Sequence, residues 1–228
     1  RGPIRPGGEI ATEEIDEPKL LLLAKQHSTS LVCCACVVPR LLPQLRRAFG
    51  RRLHLVTGRS PALGFSFAYP KPDELGADRL AAAVAAHAEG RSPVIVISAG
   101  TATAFSVLDK KGNFCGGVIA PGLETQLHSL VARAAKLQTV PLHAPRRVLG
   151  KSTAEAIRSG VMLNFLGGVK EIVQRLEAEL SPPRPRLLLT GGHAHHLAGK
   201  LDRPATLRPL LVFEGLRIMA VRLSTSVS

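Results

Sequence analysis

The sequence predicts an α/β fold. Short apolar runs of strand character alternate along the chain with longer segments of helical period. Residues 94–122, VIVISAGTATAFSVLDKKGNFCGGVIAPG, read as strand, tight glycine turn, strand, polar hairpin, strand and helix start. No repeat at a solenoid period is visible.

In chain order, residues 1–19 are rich in Pro, Gly and Glu and read as irregular, with at most one short strand. Residues 20–26 read as a helix and residues 30–38 as a buried strand. Pro39 starts a helix to about Ala48, since proline suits the first turn. Residues 53–57 form a strand and residues 63–68 an extended segment. Residues 77–89 form a helix with Leu80, Val84 and Ala88 on one face. After the meander come a helix at 123–136 and a long one at 153–179, which Ser181-Pro182-Pro183 stops. A strand at 187–190, a helix at 193–200 and a last helix at 213–221 complete the chain.

At 228 residues the chain has enough length for a sizeable core, as one large domain or two small ones. No apolar run reaches the ~18 residues of a membrane span, and residues 1–9 have no apolar core of a signal peptide. Cys33, Cys34, Cys36 and Cys115 lack the paired clusters of a zinc site, and read as buried, reduced thiols of a cytoplasmic protein. The net charge of +13 and pI near 10.5 raise nucleic acid as a partner, with Arg46, Arg47, Arg51 and Arg52 as the densest patch. One Tyr and no Trp leave few stacking platforms, which argues against specific nucleic-acid binding. The same charge would help collect ATP and a carboxylate substrate.

The Gly100-Thr101 turn ends a strand with a hydroxyl and backbone N–H groups available to a phosphate. An ordinary β-meander with glycine turns looks the same, so the turn alone decides nothing. Likewise Asp78 alone reads as an N-cap, Arg79 as a solvated helix charge, Thr101 as a strand-edge threonine, Thr153 as an N-cap, and Gly191-Gly192 as a tight strand-to-helix turn. His193, His195 and His196 form a short cluster that reads as an exposed polar turn sooner than a metal site.

Taken in order, Gly76-Ala77-Asp78-Arg79, Gly100-Thr101-Ala102-Thr103, Gly116-Gly117 through Pro121-Gly122, Gly150-Lys151-Ser152-Thr153, Ala156-Ile157-Arg158-Ser159-Gly160 and Thr190-Gly191-Gly192-His193-Ala194 resemble the type III pantothenate kinases, a family related to the Bvg accessory factor proteins. The resemblance covers roughly residues 33–220. It implies two ribonuclease-H-like domains of the actin, Hsc70 and sugar kinase superfamily, at residues 1–92 and 93–228, with ATP in the cleft between them. The first is expected to be truncated, because residues 1–30 hold no Asp-x-Gly-Asn-Thr phosphate motif.

The resemblance further implies a cytoplasmic, homodimeric kinase that uses ATP with Mg2+ to phosphorylate pantothenate, the first step of coenzyme A biosynthesis. Asp78 would be the proton acceptor. Gly76, Ala77, Asp78, Arg79 and Thr153 would bind pantothenate, and Gly100, Thr101, Gly191 and Gly192 the nucleotide. Ser98 stands at the family's aspartate for a monovalent cation, K+ or NH4+, and its neutral hydroxyl weakens that expectation. Ser106 replaces a second frequent aspartate. These departures keep open a non-catalytic accessory or regulatory homologue, and a basic nucleic-acid-binding protein remains a third alternative.

Overall fold

The computed structural model describes residues 4–5, 7–27, 29–180 and 182–225. They form two compact units: Arg1–Phe65 with Pro70–Ala88 and Leu211–Ser228, and Ser66–Tyr69 with Glu89–Leu210. The expected boundary at 92/93 follows the chain, whereas these units follow contacts. The C-terminal helix returns to the first unit.

The first unit holds helix α1 (Glu17–Gln26), strand β1 (Val32–Cys34), helix α2 (Leu42–Phe49), strand β2 (Leu53–Leu55), helix α3 (Ala77–Ala88) and, from the chain's end, helix α6 (Leu211–Thr225). Asp16 caps α1 by accepting from the Lys19 N–H at 2.9 Å. The parallel pair β1–β2, with Val32 opposite Leu53, lies beside a small core of Leu20, Leu41, Leu45 and Ala48. The expected strand at 30–38 keeps only three residues, and these are half-buried. Cys33, Cys34, Cys36 and Cys115 are free thiols, half-buried where full burial was expected. Burial, and then Cys36 and Cys33, push the Cys34 thiol up to about 11.

Two of the four arginines in the basic patch have structural work. Arg47 makes a forked pair with Glu17 at 2.8 and 2.7 Å, and Arg52 donates to the carbonyls of Ala24, His27 and Thr29 at the end of α1.

Helix α3 was expected to bury one face. Instead Leu80 through Ala86 are all at most 3% exposed, while Ala88 is exposed. Its small residues let α6 approach backbone to backbone: a Cβ at Gly215 would collide with the Ala81 carbonyl. Gly215→Ala is therefore expected to cost about 1–3 kcal/mol through overpacking. Gly167→Ala, in open space on a long helix, should instead stabilise by about 0.5–1 kcal/mol. Thermal denaturation of both variants checks the contrast.

The second unit contains a mixed five-stranded sheet of order β5-β4-β3-β6-β7. Its strands are β3 (Val94–Ala99), β4 (Ala102–Leu108), β5 (Phe114–Pro121), β6 (Arg186–Thr190) and β7 (Thr206–Leu207). Strand β3 is antiparallel to β4 and parallel to β6. Alternate residues Ile95, Ile97 and Ala99, with Phe105, Val107, Leu187 and Leu189, make one face apolar. Helices α4 (Leu123–Arg133) and α5 (Thr153–Glu179) supply Leu123, Leu127, Val161, Phe165 and Val169 to the same core.

Residues 63–68 make only the isolated bridge Phe67–Phe114. The helix expected at 193–200 is a single 3-10 turn, Ala194–His196, followed by turns. No helix among the described residues is long and apolar enough to cross a membrane.

Candidate active site

The expected nucleotide residues gather at one edge of the five-stranded sheet. Strand β3 ends at Ala99, and the Gly100 N–H donates to the Ala102 carbonyl at 3.0 Å, which closes the Gly100-Thr101 turn. The Thr101 carbonyl accepts from the Gly122 N–H at 2.9 Å and from Thr125 Oγ1 at 2.6 Å. The turn is thus fixed by the start of α4. Gly122 has to be glycine, because a Cβ there would meet the carbonyls of Gly100 and Thr101.

Behind it, Gln126 Nε2 donates to the Pro121 carbonyl at 3.1 Å and accepts at Oε1 from Asn164 Nδ2 of α5 at 2.8 Å. Gly122, Thr125, Gln126 and Asn164 are supports the sequence reading missed. Pro121-Gly122 marked a helix start, but nothing local links Thr125 to a turn 24 residues earlier.

The turn after β6 abuts the same strand end. Gly191 has φ +92°, and a Cβ there would lie 2.5 Å from the Ala99 carbonyl oxygen. That carbonyl also accepts from the His193 N–H at 3.0 Å. Thr101, Gly191 and Gly192 are exposed, so this edge presents two glycine-bearing turns and a hydroxyl to solvent. Such an edge suits a phosphorylated ligand, which glycine lets approach the backbone.

Ser98 is half-buried on β3, paired in register with Ala104 and Thr190. The side chains of this strand end are neutral hydroxyls, Ser98, Thr101 and Thr190. Magnesium favours one or two carboxylates beside substrate phosphates and water. This donor set does not fit a protein-held divalent ion, and no residue here is assigned to one.

The histidine cluster follows directly. His195 Nδ1 donates to the Gly192 carbonyl at 2.9 Å, bracing the glycine turn. His193 Nε2 lies 3.8 Å from Glu124 Oε1 of α4, and its ring stacks on His196, centroids 6.1 Å apart. No group of three or more His, Cys, Asp or Glu among the described residues is arranged to hold a metal. Burial, and then His195, His193 and Lys200, lower the His196 pKa to about 4.

Folding therefore favours the neutral His196 ring. The unfolded chain binds the extra proton first, so this contribution is present above about pH 6.5 and is lost as pH falls toward 4. The melting temperature should drop on acidification through this window, and drop less in His196→Gln. A pH series of thermal melts checks this.

Gly76 precedes α3 in the first unit and Ala77, Asp78 and Arg79 begin it, with the Leu80 N–H donating to the Gly76 carbonyl at 3.1 Å. Ala77 is buried, and Asp78 and Arg79 are half-buried. The Asp78 carboxylate lies over Gly76: a Cβ at 76 would be 2.7 Å from Oδ1. The glycine thus makes room for the acid.

Thr153 is exposed at the first position of α5 in the second unit. It does not cap this helix. Ser152 does, accepting from the Glu155 N–H at 3.2 Å, while Glu155 Oε2 accepts from the Lys151 N–H at 2.8 Å. The Thr153 hydroxyl is thereby relieved of the capping role.

Comparisons with known proteins identify the family of the chain. The family model for type III pantothenate kinase matches residues 8–175. The type III pantothenate kinase of Rhodospirillum rubrum is 41% identical over 189 residues, covering 81% of this chain and 73% of that protein. The type III pantothenate kinase of Akkermansia muciniphila is 38% identical over 215 residues, covering 94% and 86%. The crystal structure of a conserved Baf family protein from Campylobacter jejuni superposes with a TM-score of 0.61 at 21% identity, covering 92% of this chain and 90% of that one, a likeness of fold.

Proposed function

We infer that this chain, which belongs to the type III pantothenate kinase family, transfers the γ-phosphoryl group of ATP to pantothenate, giving 4′-phosphopantothenate in the first step of coenzyme A biosynthesis. One observation ties the geometry to this activity. The two glycine turns, at Gly100-Thr101 and Gly191-Gly192, converge on the end of β3 and are locked there by Gly122, Thr125 and His193.

Phosphoryl transfer makes few covalent demands on the protein beyond positioning, charge stabilisation and removal of the acceptor's proton. We assign Gly100 and Thr101 to the ATP phosphates: the Gly100 N–H is taken by the Ala102 carbonyl, so Gly100 gives close access to the backbone while the Thr101 N–H and hydroxyl donate. Gly191 and Gly192 give the nucleotide close access to the backbone. Asp78 accepts the proton of the attacking hydroxyl. Gly76, Ala77 and Arg79 help bind pantothenate, with Arg79 supplying positive charge and Thr153 a further hydroxyl. Kinases generally use Mg2+, which neutralises phosphate charge when bound.

The domain pattern we propose is a pair of ribonuclease-H-like domains. The mixed five-stranded sheet supports the second, and the first has a two-stranded sheet among the described residues. A cytoplasmic homodimer is the working form implied by the family resemblance.

Ser98 gives this member a distinguishing property. Without a carboxylate, the strand end offers K+ or NH4+ little charge, so ATP affinity should change by less than about 3-fold on replacing sodium with potassium. Ser98→Asp should restore a larger response. Calorimetric ATP titrations and pantothenate-dependent ADP release, each in both salts, test this. Release of ADP that is indifferent to pantothenate in both salts would favour the accessory homologue.

A further inference from the structure

The loop leading into α5 carries a second cluster, which shares no residue with the sites assigned above. We propose that His143, Arg146, Arg147 and Arg158 form a binding site for a small phosphate-bearing anion. They line a cavity of about 310 Å³ together with Pro145 and Glu155. That volume is at the small end for ligand pockets, which suits a diphosphate or phosphate-ester head better than a whole nucleotide.

The charge balance of this cavity favours an anion. Three guanidinium groups face one carboxylate. Glu155 already accepts from the Lys151 N–H at 2.8 Å, and no carboxylate among the described residues forms an ion pair with Arg146, Arg147 or Arg158. A second cavity on the same unit shows the contrasting, self-compensated case. There Lys170 pairs with Asp202, and Glu177 pairs with Arg184 and Arg203. Like charges held together without a counter-charge repel, and a dianion relieves that repulsion. Arginine forks match phosphate oxygens two at a time.

Arg158 and the loop backbone are also held in place. Arg158 Nε donates to the Pro141 carbonyl at 2.9 Å, and Ser159 Oγ donates to the Val148 carbonyl at 2.8 Å. Gly150 packs on the first turn of α5, where a Cβ would lie 2.5 Å from the Ala156 nitrogen. The loop is thus strapped to α5 on both sides of Arg146 and Arg147. The positive end of the 27-residue α5 adds to the field.

The test is calorimetry on the full chain with pyrophosphate, without magnesium, at fixed ionic strength and with the nucleotide turns saturated by a non-hydrolysable ATP analogue. The expected result is a single site that Arg146→Gln/Arg147→Gln weakens by about 10-fold or more without lowering the melting temperature, and that Arg158→Gln, which also gives up the bond to the Pro141 carbonyl, weakens by at least a similar factor. Arg46→Gln/Arg51→Gln should leave it unchanged. A methyl phosphate ester should compete with pyrophosphate, whereas pantothenate, which offers a carboxylate alone, should not.

Pyrophosphate binding that the Arg146, Arg147 and Arg158 variants leave intact would overturn the proposal. So would binding abolished by the ATP analogue, or equal competition by pantothenate. Duplex DNA binding lost in the same variants, with no small-anion site in the parent, would replace it with a polyanion surface. None of these results bears on the kinase activity, which is measured separately.

Discussion

Asp78→Asn is expected to lower the rate of pantothenate phosphorylation by about 100-fold or more, the usual scale for loss of a general base. The substitution keeps shape and removes basicity. Asp78 sits in the first turn of α3 with its carboxylate over Gly76, where the glycine leaves it room. An amide fits the same space, so the melting temperature should hold. ATP affinity should also hold within about 2-fold, because the base acts on the acceptor hydroxyl and uniform binding is untouched. Steady-state kinetics in pantothenate, beside an ATP titration, separates these quantities. Equal kcat for variant and parent would remove Asp78 from proton transfer.

The second large effect is expected at Gly122. Alanine there drives a methyl group into the carbonyls of Gly100 and Thr101, both backbone and neither free to swing away. The Gly122 N–H to Thr101 carbonyl bond must lengthen and the Gly100-Thr101 turn must shift. Overpacking of this kind costs about 1–3 kcal/mol of stability. A displaced turn should cost nucleotide affinity at least about 10-fold, since phosphate recognition depends on placed N–H groups. Gly192→Ala supplies the contrast. Its Cβ would meet nothing within 4 Å, so the fold should be unaffected, while a side chain in the nucleotide's path should still weaken binding. Thermal melts and ATP titrations of the two variants distinguish damage to the turn from obstruction of its ligand.

What the sequence made legible follows from the range of the interactions involved. The meander and α5 were readable because their patterns are long and local, and the α5 boundaries expected from sequence match Thr153–Glu179. The capping residue was missed by one position. Ser152 and Thr153 are adjacent hydroxyl residues, and only the Glu155 N–H direction tells them apart. Residues 193–200 have helical composition, but Gly199 takes φ +70° and the segment makes only one 3-10 turn.

The basic patch was legible as charge but not as contacts. A count of arginines cannot reveal that Arg47 is paired with Glu17, 30 residues away. The same limit hid the Thr125 and His193 locks at the Gly100-Thr101 turn, which link segments far apart in sequence. By contrast, the glycines of the GTAT and TGGHA stretches do come together at one sheet edge, because close backbone approach leaves a mark on sequence.

The most direct measurement follows the phosphoryl group itself. The chain is incubated with ATP labelled in its γ-phosphoryl group, Mg2+ and pantothenate, and the products are separated and analysed by mass spectrometry. The expected result is label on the 4′-hydroxyl of pantothenate in step with ADP formation, and its near-absence with Asp78→Asn. Label confined to inorganic phosphate, or ATP bound without turnover in either salt, would contradict the assignment of this chain as a working pantothenate kinase.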